Sequence, residues 1–403
     1  MNYGLRGDES VEDERFVRGL GEELRVPVLV TRVSPESKAE DTLRRLRYEW
    51  FRTCRVDAIL TGHTKDDQAE TLLFRMLRGT GPAGLSGIQP VLEDFVYRPL
   101  LEIRREEIRE WLTLNSFRWR EDSSNLDVSY SRNRIRRNWI PRIEEELNPQ
   151  VVEALANLAK ISLEEETWLR ALVEEKLRSM ARPEGLAWIL DSKLARESPR
   201  ALRRRIMRRL LELVKGNLNE VDFPHIEAAL NLLDRPEGDG RLQIPGLDIM
   251  RSFDWLRVIR LEDLPNLDTR NFRLSLAVPT ECELPEGAGA LRSMLDTRCT
   301  YNGDAGTLDW RKLKQVLAKG GELEIRNWRP GDSIRLEGFE RDVKVKELFQ
   351  KTRVPLWRRR SWPIAVIRDL PVWAAQFGPA LEFCVSAETV EELHLEWRPA
   401  WRD

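Results

Sequence analysis

His63, Asp66 and Asp67 fall within five positions of one another in the run His63-Thr-Lys-Asp-Asp-Gln-Ala-Glu70. An imidazole and two carboxylates this close can pass protons, hold a divalent cation or orient a polar substrate. A structural role competes for each of them. Asp67 stands three residues after Thr64, the spacing of a capping box, and capping alone explains it. Asp66 falls at the edge of the following apolar face, so its carboxylate points towards neighbouring structure and needs a partner there. His63 precedes the cap in a tight turn, where a lone histidine is often only a hydrogen-bonded residue. Three such side chains gathered at one turn weigh the balance towards function.

The elements around this turn place it at a ligand edge. Residues 56–62 (Val-Asp-Ala-Ile-Leu-Thr-Gly) are a short apolar run that reads as a buried strand. Ala69, Leu72, Leu73, Met76 and Leu77 then recur at helical spacing, predicting a helix over 65–78 that ends before a left-handed Gly79. Strand, turn and helix in that order suit an open α/β sheet, whose ligands gather at the carboxyl ends of strands. Upstream, residues 10–25 predict a helix with Ser10 as N-cap and Phe16, Val17, Leu20 and Leu24 buried. A β-branched strand at 27–33 and a helix at 37–54 follow. This alternation argues a parallel sheet with helices on its faces.

Further on, the pattern predicts a short helix at 105–114, a polar loop at 119–125 and a helix through the arginine-rich run 132–142. A long amphipathic helix over 150–180 marks the end of the first domain, which spans 1–148. Residues 149–263 read as mainly helical, shifting to strands from 240. Residues 264–318 are proline-punctuated and take no assignment, a connecting segment before a small α+β domain at 319–403.

With 41% hydrophobic and 33% charged residues, the chain has the composition of a globular protein with a highly charged surface. No apolar run approaches the roughly 18 residues that a membrane span needs, and the first residues lack the apolar core of a signal peptide. Cys54, Cys282, Cys299 and Cys384 are widely separated and form no metal-ligand spacing, as expected of reduced thiols in a cytoplasmic protein. A net charge of −2 announces no nucleic-acid partner. Arginines nevertheless crowd at 132–142, 200–209 and 358–360. Such patches are either phosphate-binding faces on an acidic protein or ordinary helix faces with i,i+4 ion pairs.

The run from His63 to Glu70, continued by Arg75-x-Leu-Arg78-Gly79-x-Gly81-x-x-Gly84-Leu85-x-Gly87, closely resembles the signature of the tRNA(Ile)-lysidine synthases, N-type ATP pyrophosphatases. Gly4-Leu-Arg6, Arg44-x-x-Arg47-Tyr48, Arg98-Pro-Leu-Leu101, Trp119-x-Glu-Asp-x-Ser-Asn125 and Arg132-Asn133-x-Ile-Arg136 match in the family's order. Arg329-Pro-Gly-Asp332, Lys344-x-Lys346-x-x-Phe349 and Val354-Pro355, with Trp362-Pro363 beyond, resemble its last domain. The resemblance covers nearly the whole chain. It implies an α/β fold: an incomplete, Rossmann-like PP-loop domain of the adenine-nucleotide alpha-hydrolase kind, with a parallel sheet. A mainly helical domain and a small α+β domain would follow.

The reaction implied joins free lysine to the wobble cytidine of an isoleucine tRNA with a CAU anticodon, through an adenylated base made with ATP and Mg²⁺. Decoding then changes from AUG to AUA. On this resemblance His63 and Asp66 are the catalytic candidates, His63 and Asp66 together serving as base for the lysine amine. Arg75, Arg78, Arg132, Asn133, Arg134 and Arg136 face the tRNA or the developing phosphate charge, and Arg329, Lys344 and Lys346 face its acceptor stem. Gly62 is a weak nucleotide-binding candidate. The location implied is cytoplasmic, and a homodimer is compatible with the sequence.

One piece of the family pattern is absent. No Ser-Gly-Gly-x-Asp-Ser run, the loop that cradles the pyrophosphate of ATP, occurs in these 403 residues. The match starts at Asn2, inside what would be the second strand, with Asn2-Tyr3 where the family has Asp-His and Leu43 where it has alanine. The favoured expectation is a start at an internal methionine with the loop encoded upstream. The alternatives are a non-catalytic tRNA-binding paralogue, or a relative using the same adenylation on another substrate, such as a thiolase or an amide-forming ligase. With the loop upstream, or in a paralogue that lost it, the chain as given is expected to bind ATP poorly. Its first domain, short of a sheet strand, is expected to be less stable than a complete one.

Overall fold

The computed structural model describes residues 1–37, 39–123, 131–235, 238–264, 271–296 and 306–401. Ser124 and Asn125 of the polar loop, and Cys299, lie outside the described residues. The chain divides into two compact units, residues 1–171 and 172–403.

The first unit opens with α1 (Asp8–Leu24), α2 (Glu40–Thr53), β1 (Ile59–Leu60) and α3 (Lys65–Leu77). β2 (Val91–Leu92), β3 (Val96–Tyr97), α4 (Arg105–Leu114), α5 (Ser131–Arg134) and α6 (Ile140–Glu146) follow, and α7 (Val151–Met180) begins in this unit and ends in the second. β1 and β3 are parallel, Ile59 opposite Val96, and β2 closes an antiparallel hairpin onto β3. The strand expected at 27–33 is a single parallel bridge between Asn2 and Arg32, in which the Asn2 N–H donates to Thr31 O at 2.8 Å. The buried strand expected over 56–62 is likewise only two residues long, and Leu60 is 69% exposed.

The physical reason is a shortage of neighbours. The N–H groups of Ile59 and Thr61 donate to Phe95 and Tyr97 carbonyls, so the backbone of Leu60 is turned to the opposite edge. That edge meets a cleft. Val17 and Leu29 line the same cleft and stay exposed, and Leu24, expected to be buried, is exposed as well. Helix α1 also starts earlier than Ser10. Gly7, at φ 57°, is its N-cap, while Ser10 is buried and its hydroxyl accepts the Arg6 N–H at 3.2 Å. The first unit's buried apolar residues gather around Ala69, Ile135, Ile140 and Val152.

The second unit holds a five-stranded antiparallel sheet built from β4 (Ala181–Glu184), β5 (Ala187–Asp191), β6 (Gly240–Ile244), β7 (Leu247–Ser252) and β8 (Trp255–Arg260), in the order β4-β5-β8-β7-β6. Between β5 and β6 lie α8 (Ser192–Glu197), α9 (Arg200–Lys215) and α10 (Phe223–Asp234). Leu210, Leu211 and Leu230 from these helices pack with Ile249, Leu256 and Val258 of the sheet. The segment without a sequence assignment turns out to carry regular structure: β9 (Arg273–Ser275), β10 (Thr280–Leu284), β11 (Gly289–Asp296), β12 (Thr307–Asp309) and α11 (Trp310–Leu317).

Next come β13 (Leu323–Asn327), β14 (Ser333–Ile334), β15 (Val343–Lys344), α12 (Val345–Lys351) and α13 (Leu356–Arg359). The chain ends with β16 (Pro363–Ile367), β17 (Leu370–Ala374), β18 (Gly378–Pro379) and β19 (Glu392–Arg398). Two sheets, β10-β11-β19-β12 and β18-β17-β16-β13-β9, enclose a core in which Phe349, Trp362 and Trp373 are buried.

Candidate active site

Helix α3 begins as its sequence predicts. The Asp67 N–H donates to Thr64 Oγ1, and Asp67 Oδ2 accepts the Thr64 N–H at 2.8 Å, so both halves of the capping box are present. It ends on Gly79 at φ 80°, where the Thr80 N–H reaches back to Arg75 O at 3.1 Å. The other Asp67 oxygen, Oδ1, accepts from Arg105 at 3.2 Å, Arg132 at 3.4 Å and Arg136 at 3.1 Å. Glu70, one turn on and only 1% exposed, binds the same three guanidinium groups. Its closest contact is Arg136 Nε at 2.6 Å. Two carboxylates on one face of α3 thus collect arginines from α4, α5 and the turn after α5.

That turn is a π-helical one over Ile135–Trp139. Pro141 has no N–H to give to Arg137 O, and the Ile140 N–H bonds five residues back to Ile135 O instead. Residues four apart share a helix face, so Arg132 and Arg136 reach the same carboxylate.

Asp66 faces neighbouring structure, as its position requires. Oδ1 accepts from Arg104 Nε at 3.2 Å and Oδ2 from the Arg105 N–H at 2.7 Å, so it caps α4 from outside that helix. His63 takes no part in this. Its Nδ1 lies 2.9 Å from Thr61 Oγ1. Burial pushes its pKa down to about 4, and the charges of Arg98, Arg132 and Arg44 push the same way against Asp67, so the imidazole is neutral at pH 7. For Asp67, burial works to raise the pKa. The Thr64 N–H and the charges of Arg105 and Arg132 outweigh it and hold the carboxyl below its ordinary value.

Two clefts meet at this turn. One, of about 970 Å³, is lined by Phe74, Arg78 and the glycine-rich run after α3. The other, of about 1100 Å³, is lined by Asn2, Leu60, Gly62, Asp67, Asn133 and Arg136. His63 and Arg132 line both. Arg75 holds the glycine run in place, its guanidinium donating to Gly84 O at 3.0 Å and Gly87 O at 2.8 Å. Gly87, at φ 57°, has to be glycine: a Cβ there would stand 2.4 Å from Gln68 Oε1. Arg134 is exposed on the outer side and donates to Ser131 Oγ at 3.3 Å.

Mg²⁺ does not fit this donor set. Guanidinium groups occupy the positions around Asp67 and Glu70 that a cation would need. Among the described residues no group of three or more His, Cys, Asp or Glu side chains is placed to hold a metal ion.

Residues 1–143 match the PP-loop domain family, and residues 323–397 match the TilS substrate C-terminal domain family. The tRNA(Ile)-lysidine synthase of Solibacter usitatus is 36% identical over 403 residues, covering 96% of this chain and 89% of that protein. The chain belongs to the tRNA(Ile)-lysidine synthase family. The synthase of Geobacter sulfurreducens is also 36% identical, over 93% of this chain and 81% of its own length. That of Caldanaerobacter subterraneus is 30% identical over 98% and 86%.

The remaining lysidine-synthase candidates, Arg329, Lys344 and Lys346, lie in the second unit and all three are exposed. The motif around Arg329 is held from within. Asp332 binds the buried Arg326 through two bonds of 2.8 and 2.7 Å and accepts the Arg329 N–H at 2.7 Å. Sequence reasoning did not single out Glu70, the buried carboxylate that gathers these arginines. The available signal was a charged residue on the buried face of an amphipathic helix. Among the described residues no helix is long and apolar enough to cross a membrane.

Proposed function

We propose that this chain joins lysine to C2 of the wobble cytidine of an isoleucine tRNA with a CAU anticodon, using ATP. The observation that carries the proposal is the 36% identity to a named tRNA(Ile)-lysidine synthase across 96% of the chain. In this reading the cytidine O2 attacks the α-phosphorus of ATP and pyrophosphate leaves. The lysine ε-amine then attacks C2, loses a proton, and AMP departs. His63 is the best-placed acceptor for that proton. It is neutral, it borders both clefts, and in the tautomer whose Nδ1–H donates to Thr61 Oγ1 its Nε2 lone pair is open to the substrate.

Burial, the largest cause of its lowered pKa, keeps the imidazole unprotonated and so able to accept a proton at neutral pH. Asp66 serves by orientation, because Arg104 and the Arg105 N–H already hold its two oxygens. Arg132 and Arg136, fixed by Glu70 and Asp67, are preorganised donors for phosphate charge that develops during adenylation.

The test is transfer of labelled lysine to an isoleucine tRNA transcript, with ATP in the millimolar range because the Ser-Gly-Gly-x-Asp-Ser run is not in this sequence. Lysine incorporation that disappears when the wobble cytidine is replaced by uridine, and falls about 10²-fold or more in His63→Ala, supports the reading. Selective tRNA binding with no lysine transfer would favour the paralogue that binds tRNA without modifying it.

A further inference from the structure

We infer that Arg44, Arg78 and Arg170 form a phosphate clamp at the mouth of the 970 Å³ cleft, holding the backbone of a single-stranded RNA loop while one extruded nucleotide enters beside His63. The inference rests on the RNA substrate proposed above and adds to it the residues that grip the loop. The three arginines come from α2, from the C-cap of α3 and from α7, so three elements converge on one opening.

Charge is the first argument. Six arginines line this cleft against two carboxylates, Asp41 and Glu166, in a chain whose overall charge is −2. Half of the six are already held in place by neighbouring groups. Arg75 holds the Gly84 and Gly87 carbonyls, Arg98 bonds Gln89 O and Tyr48 Oη, and Arg132 sits on Glu70.

The other three are weakly held. The Arg170 guanidinium is 4.0 Å from Glu166 with its side chain 64% exposed. Arg44 lies over the Tyr48 ring at 4.7 Å and makes one long bond, from Nη2 to Tyr48 Oη at 3.4 Å; Arg78 lies over the Phe74 ring at 4.3 Å. A guanidinium held this loosely can turn its N–H groups to the planar, two-point recognition of phosphate. The like charges also repel: burial first, and then the charge of Arg44, lowers the Arg75 pKa from its ordinary value. Anionic ligand relieves that repulsion.

The space behind the mouth is the second argument. About 970 Å³ with Phe74, Ile88 and Thr71 in its wall is room for a nucleoside to sit out of its stack. Exposed arginines at the rim with a partly apolar interior is the arrangement that single-stranded nucleic acid binding uses.

The test uses the full chain and a fluorescent anticodon stem-loop of the CAU isoleucine tRNA, with binding followed by anisotropy over a range of NaCl. Each arginine that neutralises a phosphate contributes about 0.7 to the slope of log K against log salt. Arg44→Gln, Arg78→Gln and Arg170→Gln each should lower the slope by about that amount, and the triple variant by about 2. The melting temperature should be unchanged. The control is Arg142→Gln, since Arg142 is exposed on α6 and paired with Glu146. It should leave the slope alone.

A triple variant with wild-type slope and wild-type melting temperature overturns the clamp. Should the wild-type chain prefer no isoleucine anticodon but still bind stem-loop RNA with a slope that the triple variant reduces, the clamp stands and the lysidine-synthase reading fails. No RNA binding by the wild-type chain sinks both.

Discussion

Glu70→Gln keeps the shape of the side chain and removes the charge that three guanidinium groups share. Glu70 is 1% exposed, while Arg105, Arg132 and Arg136 keep 27%, 24% and 22% of their side chains accessible. Breaking a fully buried ion pair costs about 3–5 kcal/mol. Because solvent reaches the arginines, a discounted cost of about 2 kcal/mol is appropriate. Hydrogen exchange in the intact chain reads this locally: amides of α3 and of residues 131–139 should exchange about 30-fold faster, with protection in the sheet β4-β5-β8-β7-β6 unchanged. A double-mutant cycle adds the decisive comparison. Arg136→Gln on top of Glu70→Gln should cost clearly less than Arg136→Gln alone, because the partner is already gone. Additive costs, or wild-type protection in Glu70→Gln, would refute the claim that this carboxylate organises the arginines.

The neutral His63 gives a pH signature: its folded pKa of about 4 lies below the ordinary 6.5, so its contribution is full above 6.5 and is lost as pH falls from 6.5 towards 4. The difference in stability between wild type and His63→Gln should shrink by about 2 kcal/mol over that range, measured by urea unfolding at several pH values. Asp66→Ala leaves the Arg105 N–H without its acceptor, and exchange protection at the start of α4 should fall by about 1 kcal/mol, an effect that Asp66→Asn largely avoids. Asp332→Ala strands Arg326, which is 2% exposed, and should destabilise the second unit by about 3 kcal/mol in a denaturant melt. Unchanged stability there would mean that Asp332 serves binding alone.

Legibility in the sequence followed distance along the chain. The capping box of α3, its glycine stop and the bounds of α4 and α7 depend on residues three to five apart, and the chain reveals them directly. The role of Glu70 does not show, because its partners stand 35, 62 and 66 positions away. The same limit hid the sheets of residues 271–318. Thr280–Leu284 reads as a polar, charged run until β11 is paired to it, and β11 in turn needs β19, more than 90 residues on. Where neighbours are few the error ran the other way: residues 27–33 have the composition of a strand but make only one bridge.

The arginine runs differ in how much charge they leave unmet, and pairing explains why. In α9, Arg200 and Arg204 bind Glu227, Arg203 binds Asp234 and Arg209 binds Glu174 and Glu212. Carboxylates meet these four charges, so the run presents less positive field than its arginine count suggests. In the α13 run, Arg358 is tied to Glu184 and Arg359 is buried with its Nε on Val354 O. The arginines at the mouth of the glycine-lined cleft are spread over more than 120 positions and form no run at all. They nevertheless keep their charge, because the fold brings them to one opening and supplies few carboxylates to meet them. A polyanion is drawn to charge that remains uncompensated after folding.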